Sequence, residues 1–295
     1  MAARIIDGKA LAERIRLRTE QDVRQLAGQG VKVRLDAVMV GDPDAGLIYA
    51  RSQERRCQQV GIDYRFHALG GDSSDADIIR FIDELNRDPS VTGILLNLPL
   101  PTGVDTAAVQ YAIDPYKDVE GVNPANIGFV FYDCPIIAPC TALAVMEILA
   151  ACECHPLGLH AVVVGQGAIA GRPTSLFLLQ QMATVTACHH ETRDLSSLTR
   201  LADVLIVATG VPGLIRAEHV KHGAVVIDVG INRVPDGPGG TRIVGDVAAD
   251  EVSRVAGVMT PVPGGVGPVT VAMLLRSAVE AARQQHTGPR RPLGR

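Results

Sequence analysis

The chain has no tryptophan, and aromatic residues occupy only 3% of its 295 positions. Its core is therefore expected to consist of Ala, Val, Leu and Ile, the usual lining of a parallel sheet that is covered by helices. The apolar runs are too short to cross a bilayer, and the short polar N-terminus does not resemble a signal peptide. We therefore predict a cytoplasmic α/β protein with no membrane partner.

The sequence also lacks an excess of positive charge. The formal net charge is −4, and no basic run occurs before the last few positions, so the electrostatic footprint of a nucleic-acid-binding protein is missing. We expect no nucleic-acid partner. Lysine is scarce in general, with four residues against 24 arginines.

A disulfide pattern is missing as well. The six cysteines are scattered at positions 57, 134, 140, 152, 154 and 188, and a cytoplasmic chain should keep them reduced. Cys152, Cys154 and His155 form the one grouping that resembles metal ligands. No second Cys/His pair at a zinc-like spacing accompanies them, so we expect no metal site.

Strand and helix periodicities alternate along most of the chain, which indicates a parallel sheet. Strands are predicted at 33–40, 64–68, 91–98, 161–164, 184–188, 204–208 and 224–229. Helices are predicted at 11–26, 47–60, 75–85, 106–113, 141–151, 173–182 and 269–283.

The length of the chain favours two domains, and an irregular stretch from Asp114 to Pro139 marks their junction. We predict one domain from residues 1–140 plus 268–295, and a second, Rossmann-type domain from residues 141–267, with a ligand cleft between them. The tail from His286 to Arg295 is rich in Gly, Pro and Arg and is expected to be disordered.

A glycine-rich turn, Gly165-Gln166-Gly167-Ala168-Ile169-Ala170-Gly171, follows a predicted strand and begins a helix. Its backbone N–H groups are suited to a pyrophosphate at the positive end of the helix. Its spacing is one residue longer than the standard fingerprint, and tight packing alone would also require glycine.

Glu191 follows the strand 184–188, where an acidic side chain accepts hydrogen bonds from a ribose 2′-hydroxyl and favours NAD over NADP. The alternative is a solvated turn, since Glu191 stands beside Thr192, Arg193 and Asp194. Both interpretations remain open at this stage.

The segment 260–270, TPVPGGVGPVT, places three prolines and three glycines before an apolar helix. Such a rigid loop lets the backbone approach a flat ligand closely. It closely resembles a signature of the bifunctional methylenetetrahydrofolate dehydrogenase/methenyltetrahydrofolate cyclohydrolase family. Agreement extends from about Ile6 to Arg283, through VGDP at 40–43, LPLP at 98–101, KDVEG at 117–121, PCT at 139–141, IDVG at 227–230 and GDV at 245–247.

The resemblance implies two α/β domains, a homodimer, a folate derivative in the cleft and NADP on the second domain. The implied activity is oxidation of methylenetetrahydrofolate followed by hydrolysis of the methenyl product. The implied catalytic positions are Tyr49, Gln53, Asn97 and Glu120. The implied substrate contacts are Tyr49, Leu98, Pro99, Glu120, Pro261, Pro263, Gly264, Gly265, Pro268 and Thr270. The implied cofactor contacts are Gly165, Gln166, Gly167, Ile169, Arg172, His190, Glu191, Thr209, Gly210 and Ile231.

One position departs sharply from the family pattern, which has a proton-shuttling lysine four residues after Tyr49. Here that residue is Gln53. A neutral amide cannot take a proton from an attacking water, so acid–base assistance of about 10²–10⁴-fold is lost. We expect impaired cyclohydrolase activity, whereas hydride transfer needs orientation more than proton transfer. The alternative is that lysine was lost here by neutral substitution, as in the rest of this lysine-poor chain. In a chain with so many arginines, such a substitution would be expected to give Arg and keep the positive charge.

Other departures reshape both ligand sites. On the folate side, Asn97 replaces a Gln, Glu120 replaces an Asp and Gly46 replaces a Ser. The Glu120 carboxylate still suits the amide and amino groups of a pterin.

On the nucleotide side, Gln166 replaces an Arg, Gly167 replaces a Ser and His190 replaces a Ser. Loss of the Arg removes a bidentate phosphate donor, so we expect weak NADP binding, with NAD or no dinucleotide instead. Arg172 is a possible substitute partner for phosphate, and a solvated surface residue otherwise.

Three functions therefore stay open: a methylenetetrahydrofolate dehydrogenase with weak cyclohydrolase activity, an enzyme that delivers the one-carbon unit to another acceptor, and a non-catalytic folate-binding protein.

Overall fold

The computed structural model describes residues 2–41, 43–237 and 240–287, with residues 43–49 described by their backbone alone. The strands, in chain order, are β1 Arg4–Ile5, β2 Arg34–Val40, β3 Asp63–Leu69, β4 Gly93–Leu96, β5 His160–Val164, β6 Thr184–Cys188, β7 Val204–Val207, β8 Val225–Asp228, β9 Asn232–Pro235, β10 Thr241–Val244 and β11 Val258–Met259. The helices are α1 Gly8–Gly28, α2 Pro43–Val60, α3 Asp75–Arg87, α4 Thr106–Tyr111, α5 Pro124–Phe131, α6 Cys140–Ala151, α7 Gly171–Gln180, α8 Leu195–Thr199, α9 Ala249–Val252 and α10 Val266–Thr287.

One compact unit, here called the three-stranded unit, consists of Arg14–Ala138 and Leu274–Arg295. Its sheet has the order β3-β2-β4, and all of these strands are parallel. A parallel bridge between Ile94 and Asp118 adds a further segment beside β4. The carboxyl edge of this sheet is therefore where β4 and the 118 segment both end.

Helix α3 illustrates how this unit folds. Ser74 caps its first turn and forms a capping box with Asp77. The side chains of Ile78, Ile82 and Leu85 recur at helical spacing, are buried, and pack against strand residues such as Val38 and Leu96. Burial of each such side chain stabilises the fold by about 1.5–3 kcal/mol.

The other compact unit, the six-stranded unit, consists of Met1–Glu13 and Pro139–Met273. Its parallel sheet has the order β1-β11-β8-β7-β5-β6. The chain runs from β5 to β6 on one side and then returns to β7 on the other side of β5, which makes the β5/β7 pair a topological switch point. Ligands of open α/β sheets bind at the carboxyl ends of such a pair.

The predicted α/β class with parallel sheets is confirmed, and several details differ. An eight-residue helix, α5, occupies part of the stretch that we expected to be irregular, because Asn123 caps it and Pro124 provides its first turn. Strand β1 pairs with β11, so the first residues pack with the six-stranded unit rather than with residues 14–138. Residues 268–273 also lie in that unit.

A hairpin of β9 and β10 was not predicted. The expected disordered tail lies outside the described residues from position 288 onward. Within the described part of the chain, no helix combines the length and the apolar character needed to cross a membrane.

Candidate functional site

Gln53 lies on α2 and is half-buried, with both ends of its amide engaged. Its Nε2 donates to Asn97 Oδ1 at 2.9 Å, and its Oε1 accepts from the Tyr64 hydroxyl at 2.7 Å. Asn97 is buried directly after β4, and its backbone N–H donates to Val38 O at 2.8 Å. The amide is therefore held between the end of β4 and the beginning of β3.

The three charged residues of the KDVEG motif at 117–121 have different surroundings. Lys117 is buried, and its Nζ donates to the carbonyls of Leu85, Asn86 and Asp88, which closes the end of α3. Burial lowers the pKa of Lys117. This lysine therefore serves the fold.

Asp118 organises the loop that follows. Its carboxylate accepts from the backbone N–H groups of Gly121 and Asn123 and from Asn126 Nδ2. Glu120 lies in this loop, two residues after the bridge at Asp118, and is half-buried. Burial, with a smaller contribution from Asp118, raises the pKa of Glu120 to about 7.

The proline- and glycine-rich loop lines a cavity of about 320 Å³ in the six-stranded unit. The predicted residues Pro261, Pro263, Gly264, Gly265 and Pro268 all border it. A Cβ on Gly265 would lie only 2.5 Å from Pro261 O, so the tight path of the loop requires glycine there.

Two residues not predicted from the sequence support this cavity. Lys9 borders it from the beginning of α1. The Thr260 hydroxyl, buried beneath the loop, accepts a hydrogen bond from the Asp228 N–H at 2.8 Å.

The glycine turn after β5 borders a second, larger cavity of about 800 Å³. Gly165 has a φ of +97°, and a Cβ there would lie 2.1 Å from Ala208 O, so the loops after β5 and β7 meet at the switch point. Nothing lies within 4 Å of the position where Gly167 would carry a Cβ. Helix α7 begins here without a side-chain cap, the Arg172 N–H donates to Gly167 O at 3.1 Å, and Pro173 has no N–H, which leaves the Gly171 N–H of this turn for an anion. These features fit a dinucleotide pyrophosphate.

The polar side chains around this cavity are mostly exposed. Gln166 turns back and donates from Nε2 to Val163 O at 3.0 Å, so it does not replace the phosphate-binding arginine of the family. His190 and Glu191 have side chains that are 89% and 78% exposed, with 3.5 Å between His190 Nε2 and Glu191 Oε1. Arg172 is also exposed.

Two buried aspartates hold the loops around the cavity, and sequence reasoning gave them no role. Asp246 Oδ2 accepts from Thr209 N, Thr209 Oγ1 and Gly210 N, and its Oδ1 accepts from Asn232 Nδ2. Asp228 accepts from the N–H groups of Gly230, Asp246 and Val247. Burial raises the pKa of Asp228 to about 6. The only sequence signal for them was their place in the IDVG and GDV motifs.

The structure brings some predicted residues together and leaves others apart. The larger cavity is bordered by Gly165, Gln166, Gly167, Arg172, His190, Glu191 and Thr209. Of the other predicted cofactor contacts, Ile169 is exposed, Gly210 binds Asp246, and Ile231 borders the smaller cavity.

Three further predicted substrate contacts border neither cavity described above. Leu98 and Pro99 are exposed just after Asn97, and the Thr270 hydroxyl donates within α10 to Val266 O. The side chain of Tyr49 lies outside the described part of the structure.

Among the described residues, no group of three His, Cys, Asp or Glu side chains is arranged so that it could hold a metal ion. Cys152 and Cys154 are free thiols, and burial raises the pKa of both.

Comparison with known proteins decides the family. Residues 6–120 match the catalytic domain, and residues 139–286 the NAD(P)-binding domain, of tetrahydrofolate dehydrogenase/cyclohydrolase. This chain belongs to the tetrahydrofolate dehydrogenase/cyclohydrolase family. The bifunctional protein FolD of Moorella thermoacetica is 45% identical over 284 residues, covering 96% of this chain and all of the relative.

Solved structures agree with this assignment. The bifunctional FolD enzyme of Campylobacter jejuni superimposes with a TM-score of 0.91 at 40% identity, over 96% of this chain and 99% of that one. The Trypanosoma brucei FolD, solved with NADP and an inhibitor, gives a TM-score of 0.89 at 35% identity, over 96% and 98% of the two chains.

The family assignment confirms the expectation of a folate one-carbon enzyme with a two-domain α/β fold. The substrate is a one-carbon derivative of tetrahydrofolate, and the cofactor belongs to the NAD(P) type that the family binds. The comparisons give no support to one-carbon delivery to another acceptor or to a non-catalytic folate-binding role.

Proposed function

We propose that this tetrahydrofolate dehydrogenase/cyclohydrolase oxidises methylenetetrahydrofolate and hydrolyses the methenyl product only slowly. The observation that carries the proposal is the Gln53 amide, tied to Asn97 Oδ1 and to the Tyr64 hydroxyl. Hydrolysis needs a group that takes a proton from water and returns one to the departing nitrogen. A carboxamide does neither near neutral pH, because it has no titratable proton in that range.

Neither lysine of the three-stranded unit can substitute for the missing one. The Lys117 ammonium is already bound by three carbonyls at the end of α3. Lys32 is exposed before β2 and borders a different cavity, whose lining includes neither Gln53 nor Asn97. The loss of the shuttle is therefore uncompensated within this unit.

Hydride transfer makes a weaker demand on Gln53. A bound nicotinamide supplies the hydride acceptor, and the protein has to hold the folate carbon in the correct orientation. In this proposal Tyr49 positions the folate rings, and the Glu120 carboxylate accepts hydrogen bonds from the pterin. Gln53 then acts as a fixed neutral hydrogen-bonding group beside the reacting carbon.

The proposal extends to a preference for NAD over NADP. Glu191 follows β6, where a carboxylate suits the two ribose hydroxyls of NAD and repels a 2′-phosphate. Gln166 is bonded to Val163 O, so it does not supply a phosphate donor. Exposed Arg172 also borders this cavity, next to Gly171, where this proposal puts the pyrophosphate.

We further propose that the enzyme acts in the cytoplasm as a homodimer. Strand β3 supports the dimer, because it lies at an edge of its sheet, where its backbone can pair with a second copy. Exposed edge strands need cover to avoid unwanted pairing. Sedimentation analysis should give about twice the mass of one 31.2 kDa chain, and a monomer at micromolar concentration would contradict this part.

The decisive variant is Gln53→Lys. Its ammonium should bind Asn97 Oδ1 and exchange protons with water, so methenyl hydrolysis should rise by about 10²-fold. Gln53→Arg is a matched control, because it restores the charge on a group that stays protonated. Gln58→Lys is a second control, because Gln58 is an exposed residue on the same helix.

A hydrolysis rate that stays unchanged in Gln53→Lys, or that rises equally in Gln53→Arg, would contradict the proton-shuttle argument. Hydride transfer is followed in parallel as the formation of reduced nicotinamide. A wild-type protein that forms none with either NAD or NADP would contradict the dehydrogenase assignment itself.

A further inference from the structure

Tyr64 is the second residue of β3, and no feature of the sequence points to a role for it. Its ring is half-buried and packs, with Phe66, against the core cluster that includes Cys57 and Val60 of α2. Its hydroxyl leaves this apolar surface only to reach Gln53 Oε1 at 2.7 Å. The Tyr64 hydroxyl is therefore a hydrogen-bond donor to the Gln53 side chain on α2.

The contact has a defined direction. Burial raises the pKa of Tyr64, so the phenol keeps the proton that it donates to Gln53. Reversing the Gln53 amide would bring its oxygen against Asn97 Oδ1, which accepts from Nε2 at 2.9 Å in the observed orientation. Two acceptors facing each other are unfavourable, so with Asn97 in its observed orientation the Gln53 amide keeps Nε2 toward Asn97 and Oε1 toward Tyr64.

The orientation decides what Gln53 offers to a ligand. Its Oε1 is engaged by Tyr64, and one N–H of Nε2 is engaged by Asn97. Among the residues that the structure describes, the second N–H of Nε2 has no hydrogen-bond partner, so Gln53 presents it as a donor to a ligand. A glutamine held by one partner alone would rotate about its last side-chain bond and lose this preference.

We propose that Tyr64 is a positioning residue, which fixes the Gln53 amide so that its Nε2 faces the bound folate. This inference rests on the proposed function, in which Gln53 lies beside the reacting carbon. Tyr64 does not itself have to touch the folate, because its hydroxyl acts through the Gln53 amide.

Kinetics of four proteins test the inference: wild type, Tyr64→Phe, Gln53→Met and the double variant. Tyr64→Phe keeps the packed ring and removes the hydroxyl, so kcat for hydride transfer should fall about fivefold while the folate KM changes less than about twofold. In the Gln53→Met background, the Tyr64→Phe change should have no further effect, because the group it acts through is gone. Tyr116→Phe, which alters another half-buried tyrosine of the same unit, should match the wild type.

A second readout is independent of activity. The side-chain NH₂ signals of Gln53 in a ¹⁵N spectrum, assigned by their loss in Gln53→Met, should be well separated and slow to exchange in the wild type. They should exchange at least about threefold faster in Tyr64→Phe and not in Tyr116→Phe.

Equal exchange in wild type and Tyr64→Phe would overturn the positioning role, even if the enzyme proves inactive. In an active enzyme, multiplicative effects of the two substitutions, or a Tyr64→Phe kcat equal to that of the wild type, would overturn it as well. A protein with no dehydrogenase activity but with the expected exchange behaviour would instead place the error in the proposed function.

Discussion

The two units prepare their ligand sites in opposite ways. In the three-stranded unit, the side chains proposed to act on folate are themselves held, with Gln53 fixed by two partners and Glu120 largely removed from water. In the six-stranded unit, the selecting side chains His190 and Glu191 are exposed. What is held there is the backbone, through the buried carboxylates of Asp228 and Asp246.

This difference follows from what each ligand demands. A pyrophosphate is bound by backbone N–H groups, so the loops have to be rigid while their side chains are free to vary. A reacting carbon needs functional groups within a fraction of an ångström of the correct place, so side chains have to be rigid. Single side-chain changes should therefore cost much more on the folate side, with the buried aspartates as the exception on the nucleotide side.

Asp246→Ala should give the largest effect of the series. It removes the acceptor of the Thr209 and Gly210 N–H groups and of Asn232 Nδ2. Loss of these hydrogen bonds to a buried carboxylate should lower the free energy of unfolding by about 3 kcal/mol, measured by urea denaturation with circular dichroism. Glu191→Ala, on the same cavity, should change it by less than about 0.5 kcal/mol. An equal loss of unfolding free energy in Asp246→Ala and Glu191→Ala would contradict the proposed difference between buried aspartates and exposed side chains at this cavity.

Glu120→Gln should weaken binding of a stable reduced folate without affecting NAD binding. Loss of a charged acceptor costs about 2 kcal/mol, or about thirtyfold in Kd. Because the chain has no tryptophan, calorimetry is the suitable measurement. Asp133→Asn, which alters another acidic side chain of the same unit, serves as the control and should leave the Kd unchanged.

Folate affinity should also depend on pH through Glu120. Its raised pKa of about 7 means that the free protein is half protonated near neutrality. The ionised form is the acceptor, so affinity should be lost as the pH falls, with Kd rising about tenfold from pH 8 to pH 6. In Glu120→Gln this dependence should disappear. If the pH dependence of the folate Kd is the same in Glu120→Gln as in the wild type, the titrating group is not Glu120.

Glu191→Ser should have the smallest effect, because the carboxylate is exposed and well screened by solvent. We expect the ratio of kcat/KM for NAD to that for NADP to fall about fivefold. Glu218→Ser, which alters an exposed glutamate elsewhere in the same unit, should leave the ratio unchanged. A wild-type ratio that favours NADP would contradict the proposed preference outright.

Much of the fold could be predicted from local patterns. The strands β5 and β7 are short, continuous apolar runs that are buried on both faces, so their signal survives without tertiary information. The turn from Gly165 into α7 was also predictable, because all of it lies within seven consecutive residues. The two-residue strand β1 is too short to produce any pattern and depends on its partner β11.

The site was less predictable, because its contacts join distant segments. Asp246 binds Thr209 across 37 positions, and Gln53 binds Asn97 across 44. The hydrogen bond from Tyr64 to Gln53 spans only 11 positions, yet it exists only because α2 packs over β3 in one register. The sequence was enough to show that Gln53 is an unusual residue at this position. Its hydrogen bonds to Asn97 and Tyr64 could be found only in the structure.

In this enzyme hydride transfer should survive where hydrolysis does not. Both steps can be followed in one progress curve of wild-type protein with methylenetetrahydrofolate and NAD, recording reduced nicotinamide and the methenyl product separately. The methenyl compound should accumulate nearly one for one with reduced nicotinamide. Formyl product that forms as fast as reduced nicotinamide, with no methenyl build-up, would contradict this expectation.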